Sequence, residues 1–129
     1  MTTLSLLITA LLFGGMLLYS FGFAAFVFSA LPSDLAGETL RRAFPHFYLF
    51  VIITAVIAAV ITSQQDRFCA TLLAFIAVTT WLTRQFLMPA INVATDTGAK
   101  TRFQVLHGFS VLITLAHIAM AGVVLAQFI

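Results

Sequence analysis

The sequence predicts an all-α integral membrane protein, an up-down four-helix bundle in one domain that covers residues 1–129. The first observation is composition, because 62% of the residues are hydrophobic and only 8% are charged, whereas about a quarter of the residues of soluble domains are charged. The second is the arrangement of apolar residues in four stretches, each close to the length of about 20 residues that spans a bilayer. These stretches are residues 4–30, 46–62, 68–88 and 104–128. Three short polar connections separate them, so successive spans should run antiparallel.

The first stretch reads as a permanent span. Met1-Thr2-Thr3 has no basic side chain and the apolar run continues to Leu31, whereas a cleaved signal peptide has a basic start and an apolar run of about 7 to 15 residues. Gly15, Gly22 and Ser29 are spaced by seven. Small residues at this spacing allow membrane helices to approach closely, so we expect them to form a packing seam.

Residues 31–45, between spans 1 and 2, should form a short interfacial helix that begins after Pro32. Glu38 and Arg42 are four residues apart and could form an ion pair on its wet face. We expect Pro45 to lie in the first turn of span 2, where a proline is tolerated. Pro89 should end the helix of span 3, because a proline in a helix interior removes a backbone hydrogen bond.

The basic residues are distributed unequally between the two ends of the predicted bundle. Five of the six lie at the end with the first and third connections: Arg41, Arg42, Arg84, Lys100 and Arg102. Arg67 alone lies at the end with the second connection. Short loops rich in Lys and Arg remain in the cytoplasm. The sequence therefore predicts that the first of these ends is cytoplasmic and that both termini lie outside, in a membrane of the bacterial inner-membrane type.

Candidate binding residues converge on this predicted cytoplasmic end. Arg84 ends span 3, while His46 and His107 begin spans 2 and 4, and the nearby residues include Arg41, Arg42 and Met88. A charged residue at membrane depth usually faces the bundle or a cavity. Arg84 could bind an anion through its forked guanidinium, or it could extend to lipid headgroups. No Asp or Glu lies within a span to neutralise it.

His107 has two interpretations. It could be a hydrogen-bonded packing residue near Ser110, or it could bind a metal or the iron of haem b, with His46 or Met88 as the other side chain that is available at this end. Arg41, Arg42 and Arg84 could then pair with the haem propionates. His117 lies about 15 Å further along the helix and cannot share one metal ion with His107. We expect it to be a satisfied polar group among the packed helices.

Several motifs carry a resemblance to a known family. They are Leu31-Pro32 with Ala36-Gly37, Arg42 through Phe44-Pro45 to Tyr48, Arg84 with Leu87-Met88-Pro89 and Asn92, and Phe103 with Leu106-His107-Gly108 and Ser110-Val111. In this respect the chain resembles the transmembrane-protein-205-like family, a four-helix membrane family of uncharacterised activity. The resemblance implies a four-helix bundle and marks Pro45, Arg84, Pro89, His107 and Ser110 as motif positions.

The chain departs from the expected family pattern at His46, His117 and Thr114, which weakens a haem site with two histidines. In fold, the family is also similar to the copper-resistance CopD membrane domain and to HemJ-type protoporphyrinogen oxidase, which binds haem. That similarity concerns fold, and a fold does not determine function.

Three functions remain open from the sequence. The protein could bind haem or another anionic ligand, serve as a non-catalytic accessory or assembly subunit of a larger membrane complex, or form a small oligomeric permease. Paired carboxylates within the spans, a glycine-rich phosphate loop and an HExxH motif are all missing from the sequence, which favours a protein that is not an enzyme. The partners that we expect are the lipid bilayer and further membrane subunits, including copies of this chain. The net charge of +2 does not suggest nucleic acid.

Overall fold

Four long helices form the part of the chain that the structure, a computed structural model, describes, namely residues 2–129. They are α1 (Thr3–Ala30), α2 (Ser33–Thr62), α3 (Arg67–Asp96) and α4 (Lys100–Ala126), and each is long and apolar enough to cross a membrane. No strand occurs among these residues. The predicted fold class is confirmed.

The short interfacial helix that we predicted between spans 1 and 2 is not a separate element. Residues 33–45 are the first turns of α2, which continues without a break through Pro45 to Thr62. A proline removes one backbone donor from a helix, but membrane helices tolerate this when neighbouring groups bond to the affected turn. Pro45 leaves the carbonyl of Arg41 without its helical donor. Tyr19 and Arg84 donate to the nearby carbonyls of Ala43 and Pro45, and these bonds attach this part of α2 to α1 and α3.

Pro89 does not end the helix of span 3, contrary to our prediction. A π-helical turn, Thr83–Leu87, precedes it, and the helix then continues over Met88–Asp96. A π-helical turn contains one more residue than an α-helical turn and pairs each N–H with a carbonyl five residues earlier. This shift in pairing accommodates the missing N–H of Pro89. The third connection consequently shrinks to residues 97–99, where Gly98 has a φ of +68°, a conformation that favours glycine.

The four helices pack in a square, in which each helix contacts the next in sequence and α4 contacts α1. The core includes large apolar side chains that are almost fully buried: Leu12, Met16, Phe47, Val51, Leu73, Ile76 and Val124. Most of the outward-facing surface is also apolar, as expected for helices whose solvent is lipid.

The predicted glycine seam of α1 forms only in part. A Cβ atom added to Gly15 would lie 2.5 Å from Cε1 of Phe50, so this glycine allows the phenyl ring of α2 to lie against the backbone of α1. Gly22 and Ser29 are exposed, and an added Cβ at Gly22 would approach only Leu18 of its own helix. Of these three residues, Gly15 is therefore the one that contributes to helix packing within the chain.

One corner of the square opens towards the basic end, which we define as the end with Arg41, Arg42, Arg84, Lys100 and Arg102. The Thr3–Leu17 part of α1 packs against α4, whereas its Ala24–Ala30 part packs against α2. By contrast, α4 contacts α3 along both halves of its length. Residues 18–30 have no comparable packing contact with residues 100–110, and we refer to the side between these two segments as the α1–α4 cleft.

Candidate functional site

One face of α4 carries a polar stripe at helical spacing: His107, Ser110, Thr114 and His117. Burial varies along this stripe, since His107 is exposed, Ser110 is 8% exposed, Thr114 is half-buried and His117 is 5% exposed. All of these residues lie on the same side of the helix. His107 is therefore the exposed member of this stripe, at the end of α4 where the Ala24–Ala30 part of α1 packs against α2.

His117 is a fully bonded polar group near the middle of the bundle. Its Nε2 lies 2.7 Å from the Thr79 hydroxyl and its Nδ1 lies 3.4 Å from the Thr80 hydroxyl. The Thr79 hydroxyl donates to the carbonyl of Phe75, so it accepts from Nε2–H, and Thr80 can then donate to Nδ1. This tautomer uses every available donor. The expectation of a satisfied polar residue at His117 agrees with these contacts.

A small cavity lies beside His117 at the closed end of the cleft. Its volume is about 10 Å³, close to the smallest space that holds one water molecule. Its lining residues come from all four helices: Met16, Phe47, Tyr48, Val51, Thr80, Thr83, Ile113, Thr114 and His117. The cavity therefore lies within the bundle and has a mixed lining, in which Tyr48, Thr80, Thr83, Thr114 and His117 are the polar members.

Arg84 lies half-buried on α3 at the basic end and bonds to α2. Its Nε–H donates to the carbonyl oxygen of Pro45, 3.3 Å away. Among residues 2–129, the two ion pairs formed by Lys or Arg side chains involve other arginines. The positive charge of Arg84 is thus held at the α2–α3 contact by a neutral carbonyl rather than by a carboxylate.

Arg41 and Arg42, by contrast, each have an acidic partner. Arg41 binds Asp96 through two bonds, of 2.6 and 2.9 Å, and this pair fastens the first turns of α2 to the last residue of α3. Arg42 pairs with Glu38 at 2.9 Å within α2, as the spacing of four predicted. These two arginines therefore have little free charge for a ligand.

His46 lies in a different opening from His107. It lines an apolar groove of about 600 Å³ between α1 and α2, together with Gly15, Leu18, Tyr19, Gly22, Phe23, Phe26, Phe47 and Phe50. No residue of α4 contributes to that lining. The structure therefore separates the two histidines that begin spans 2 and 4.

The predicted metal ligands do not form a cluster in the described chain. His107 stacks on Phe103, with ring centroids 5.4 Å apart and planes 7° from parallel, and Met88 packs half-buried against the core. No group of three His, Cys, Asp or Glu side chains suited to a metal comes together in residues 2–129. The hydroxyl of Ser110 bonds to the backbone carbonyl of His107 and not to its ring.

The polar residues of α2 and α3 that line the cavity were missed from the sequence. Thr80 and Thr83 are 1% and 4% exposed, and they continue the buried stripe of Cys69, Leu73 and Ile76 on α3. Tyr48, which the sequence marks only as a motif residue, is 8% exposed and belongs to the buried core. Helical spacing joins these threonines to the stripe, but apolar residues such as Phe75 and Val78 also cover the exposed face, so the sequence does not mark which face is buried.

Comparison with known proteins identifies the family but no activity. Residues 7–100 match the family described as a domain of unknown function, DUF4149. This range includes Tyr48, Thr83 and Arg84 but ends before His107 and His117. No curated protein and no solved structure matches the chain, so the similarity to the transmembrane-protein-205-like family and to the CopD and HemJ domains stays a prediction. Because the match covers well over half of its length, this chain belongs to the DUF4149 family.

Proposed function

We propose that this protein is a membrane-embedded binding protein for a small anionic amphiphile, which enters the α1–α4 cleft. The observation that carries the proposal is that residues 18–30 lack the packing contact with α4 that the Thr3–Leu17 part of α1 makes, and that His107 at this end of α4 is exposed. A polar surface inside a membrane bundle is costly unless it serves a ligand or a pathway. The apolar helices on either side of the cleft suit the hydrophobic part of such a ligand.

Arg84 is the proposed anchor for the anionic group, which must therefore reach from the cleft to the α2–α3 contact at the same end of the bundle. It is fixed by the carbonyl of Pro45 through one N–H, and a guanidinium has five N–H donors, so four remain for an anion. A guanidinium binds carboxylate or phosphate through two parallel bonds. The neighbouring arginines with acidic partners are less suited to this role.

Haem b is one ligand of this class. In this case, His107 would supply the imidazole that binds the iron, and Arg84 would pair with a propionate. The bound haem would bring redox chemistry of iron to the cleft. The geometry gives no support to His46 as a second ligand, since it lines the groove on the α1–α2 side.

The experiment for this proposal starts from protein purified in a mild detergent. The absorption spectrum is recorded for the oxidised and for the dithionite-reduced protein. Small molecules that co-purify are extracted and identified by mass spectrometry. A Soret band that His107→Ala removes would identify haem, and an acidic amphiphile without colour would identify another ligand. A colourless protein that carries no acidic molecule contradicts the proposal.

We also propose an orientation in which the basic end faces the cytoplasm and both termini lie outside, in a membrane of the bacterial inner-membrane type. The five basic residues at that end, against Arg67 at the other, support it. A reporter enzyme that is active only outside the cytoplasm, fused to the C-terminus, should be active. An inactive but folded fusion contradicts this orientation.

A role as an accessory or assembly subunit is the second candidate. The α1–α2 groove favours it, because Gly15 and Gly22 lie in its wall and small residues allow a partner helix to approach closely. Gly22→Leu would fill this groove with little strain in the chain itself, since only Leu18 lies near an added Cβ atom. Loss of co-purifying subunits in this variant would support the role, and unchanged assembly would contradict it.

A further inference from the structure

The cavity beside His117 is lined by a tyrosine whose hydroxyl has no hydrogen-bond partner among the described residues. Tyr48 is 8% exposed and lines the cavity, yet nothing in residues 2–129 forms a hydrogen bond with its phenol group. Buried tyrosine hydroxyls normally find a partner. The phenol oxygen of Tyr48 is not one of the described oxygens that are both sealed off and unpartnered, namely those of Thr9, Ser20 and Thr62. An occupant of the cavity can therefore reach the O–H of Tyr48.

The other hydroxyls of the cavity offer lone pairs rather than protons. The Thr83 hydroxyl donates its proton to the carbonyl of Thr79 at 2.8 Å, and the Thr114 hydroxyl donates its proton to the carbonyl of Ser110 at 3.1 Å. Both nitrogens of His117 are already bonded to threonines. The cavity thus presents one free donor, from Tyr48, and two free acceptors.

We propose that this cavity binds a single water molecule, which accepts a hydrogen bond from Tyr48 and donates hydrogen bonds to Thr83 and Thr114. Size and polarity both support a water molecule, because the volume of about 10 Å³ accommodates one, and a buried water typically makes about three hydrogen bonds. The water connects α2, α3 and α4 directly below the cleft.

The polarity of this water site also constrains the ligand that we propose for the cleft, and this step depends on the proposed function. An anion in the cavity would face the lone pairs of two threonine hydroxyls with one donor to offset them, which is unfavourable in a low-dielectric interior. The ligand's anionic group therefore stays at Arg84, and only an uncharged part of it approaches the cavity.

The test is solid-state NMR of the full-length protein in bilayers, which measures transfer of magnetisation from water to ¹³C-labelled threonine and tyrosine. Thr54 is the control, since it is buried and its hydroxyl is bonded to carbonyls of its own helix. We expect the transfer to Tyr48, Thr83 and Thr114 to be several-fold faster than the transfer to Thr54. Equal rates at all four residues would overturn the proposal.

Tyr48→Phe provides the second measurement, because it removes only the donor. We expect the transfer to Thr114 to fall towards the rate of Thr54, while the Thr54 signals stay in place and report an intact fold. Transfer to Thr114 at the wild-type rate would overturn the assignment. The measurement uses protein without added ligand, so its outcome does not depend on whether Arg84 binds an anion.

Discussion

The Nε–H of Arg84 donates to the carbonyl oxygen of Pro45 across the contact between α3 and α2, at 3.3 Å. A long, weak bond of this kind orients the guanidinium but does not neutralise it. The charge is thus positioned at the basic end while most of its donors remain available. This arrangement distinguishes Arg84 from Arg41 and Arg42, and the proposed binding function depends on it.

Replacement of His117 by leucine should destabilise the protein, because Thr80 would lose its partner and Thr79 would lose an interhelical bond. Interhelical hydrogen bonds in membranes contribute about 0.6 kcal/mol on average, so we expect a loss of about 1 kcal/mol. His107→Leu is the matched control and should change stability by less than about 0.5 kcal/mol, since exposed positions tolerate substitution. Unfolding in detergent measures both variants, and equal losses would contradict the assigned roles.

The contact between Gly15 and Phe50 makes a second prediction. Gly15→Ala would place a Cβ 2.5 Å from the phenyl ring, and the ring must then swing into the α1–α2 groove. We expect a cost of about 1 kcal/mol, at the low end for overpacking, because the ring can move. Gly14→Ala meets nothing within 4 Å and should stabilise the helix by up to about 1 kcal/mol. The two variants should therefore have opposite effects on the unfolding midpoint, and a shift in the same direction would count against this packing.

The ion pair of Arg41 and Asp96 should hold the first turns of α2 against the end of α3. Both side chains are substantially exposed, at 41% and 56%, so the pair should be weak and sensitive to salt. Asp96→Asn should accelerate hydrogen exchange in residues 33–45 without a change in the rest of the bundle. The double reversal Arg41→Asp with Asp96→Arg should restore slow exchange. Failure of the reversal to do so would show that another contact holds this segment.

Asp66 caps α3 at the opposite end of the bundle and should make that helix start sensitive to acid. Its carboxylate accepts a bond from the backbone N–H of Cys69 at 3.0 Å, which lowers the pKa of Asp66 below its ordinary value of 3.8. Because the folded pKa is depressed, the cap stabilises α3 above the unfolded pKa and is lost as pH falls through the folded pKa.

The backbone amide of Cys69 reports this effect by hydrogen exchange. Its protection should decrease below about pH 4, the ordinary range of an aspartate, while Asp66→Asn should show no such pH dependence because its side chain does not titrate. An identical pH profile for both proteins would show that the carboxylate is not responsible.

The sequence was sufficient to predict the four spans, since their hydrophobic length and polar connections depend on the bilayer alone. It was also sufficient for local pairs such as Glu38 with Arg42, because helical spacing determines them. It was insufficient at Pro45 and Pro89. Whether a proline ends a membrane helix depends on contacts with other helices, here those of Tyr19 and Arg84 with the turn around Pro45. It also depends on features such as the π-helical turn before Pro89, which no local pattern indicates.

The candidate site was only partly predictable for a related reason. Topology alone places Arg84, His46 and His107 at one end, but their separation depends on the rotation of each helix and on the divergence of α1 from α4. His46 consequently lies in the α1–α2 groove, whereas His107 lies on the polar stripe of α4. The contacts of Thr79 and Thr80 with His117 could be predicted only by knowing which face of α3 is buried.

Native mass spectrometry of the protein released from detergent micelles tests the central claim most directly. We predict a bound small molecule on the wild-type protein that is lost in Arg84→Gln. It should remain in Arg67→Gln, which removes an arginine at the opposite end of the bundle, and both variants should stay folded by circular dichroism. The same bound molecule on Arg84→Gln at the wild-type level, or a wild-type protein that carries none, would contradict the proposal that Arg84 anchors an anionic ligand.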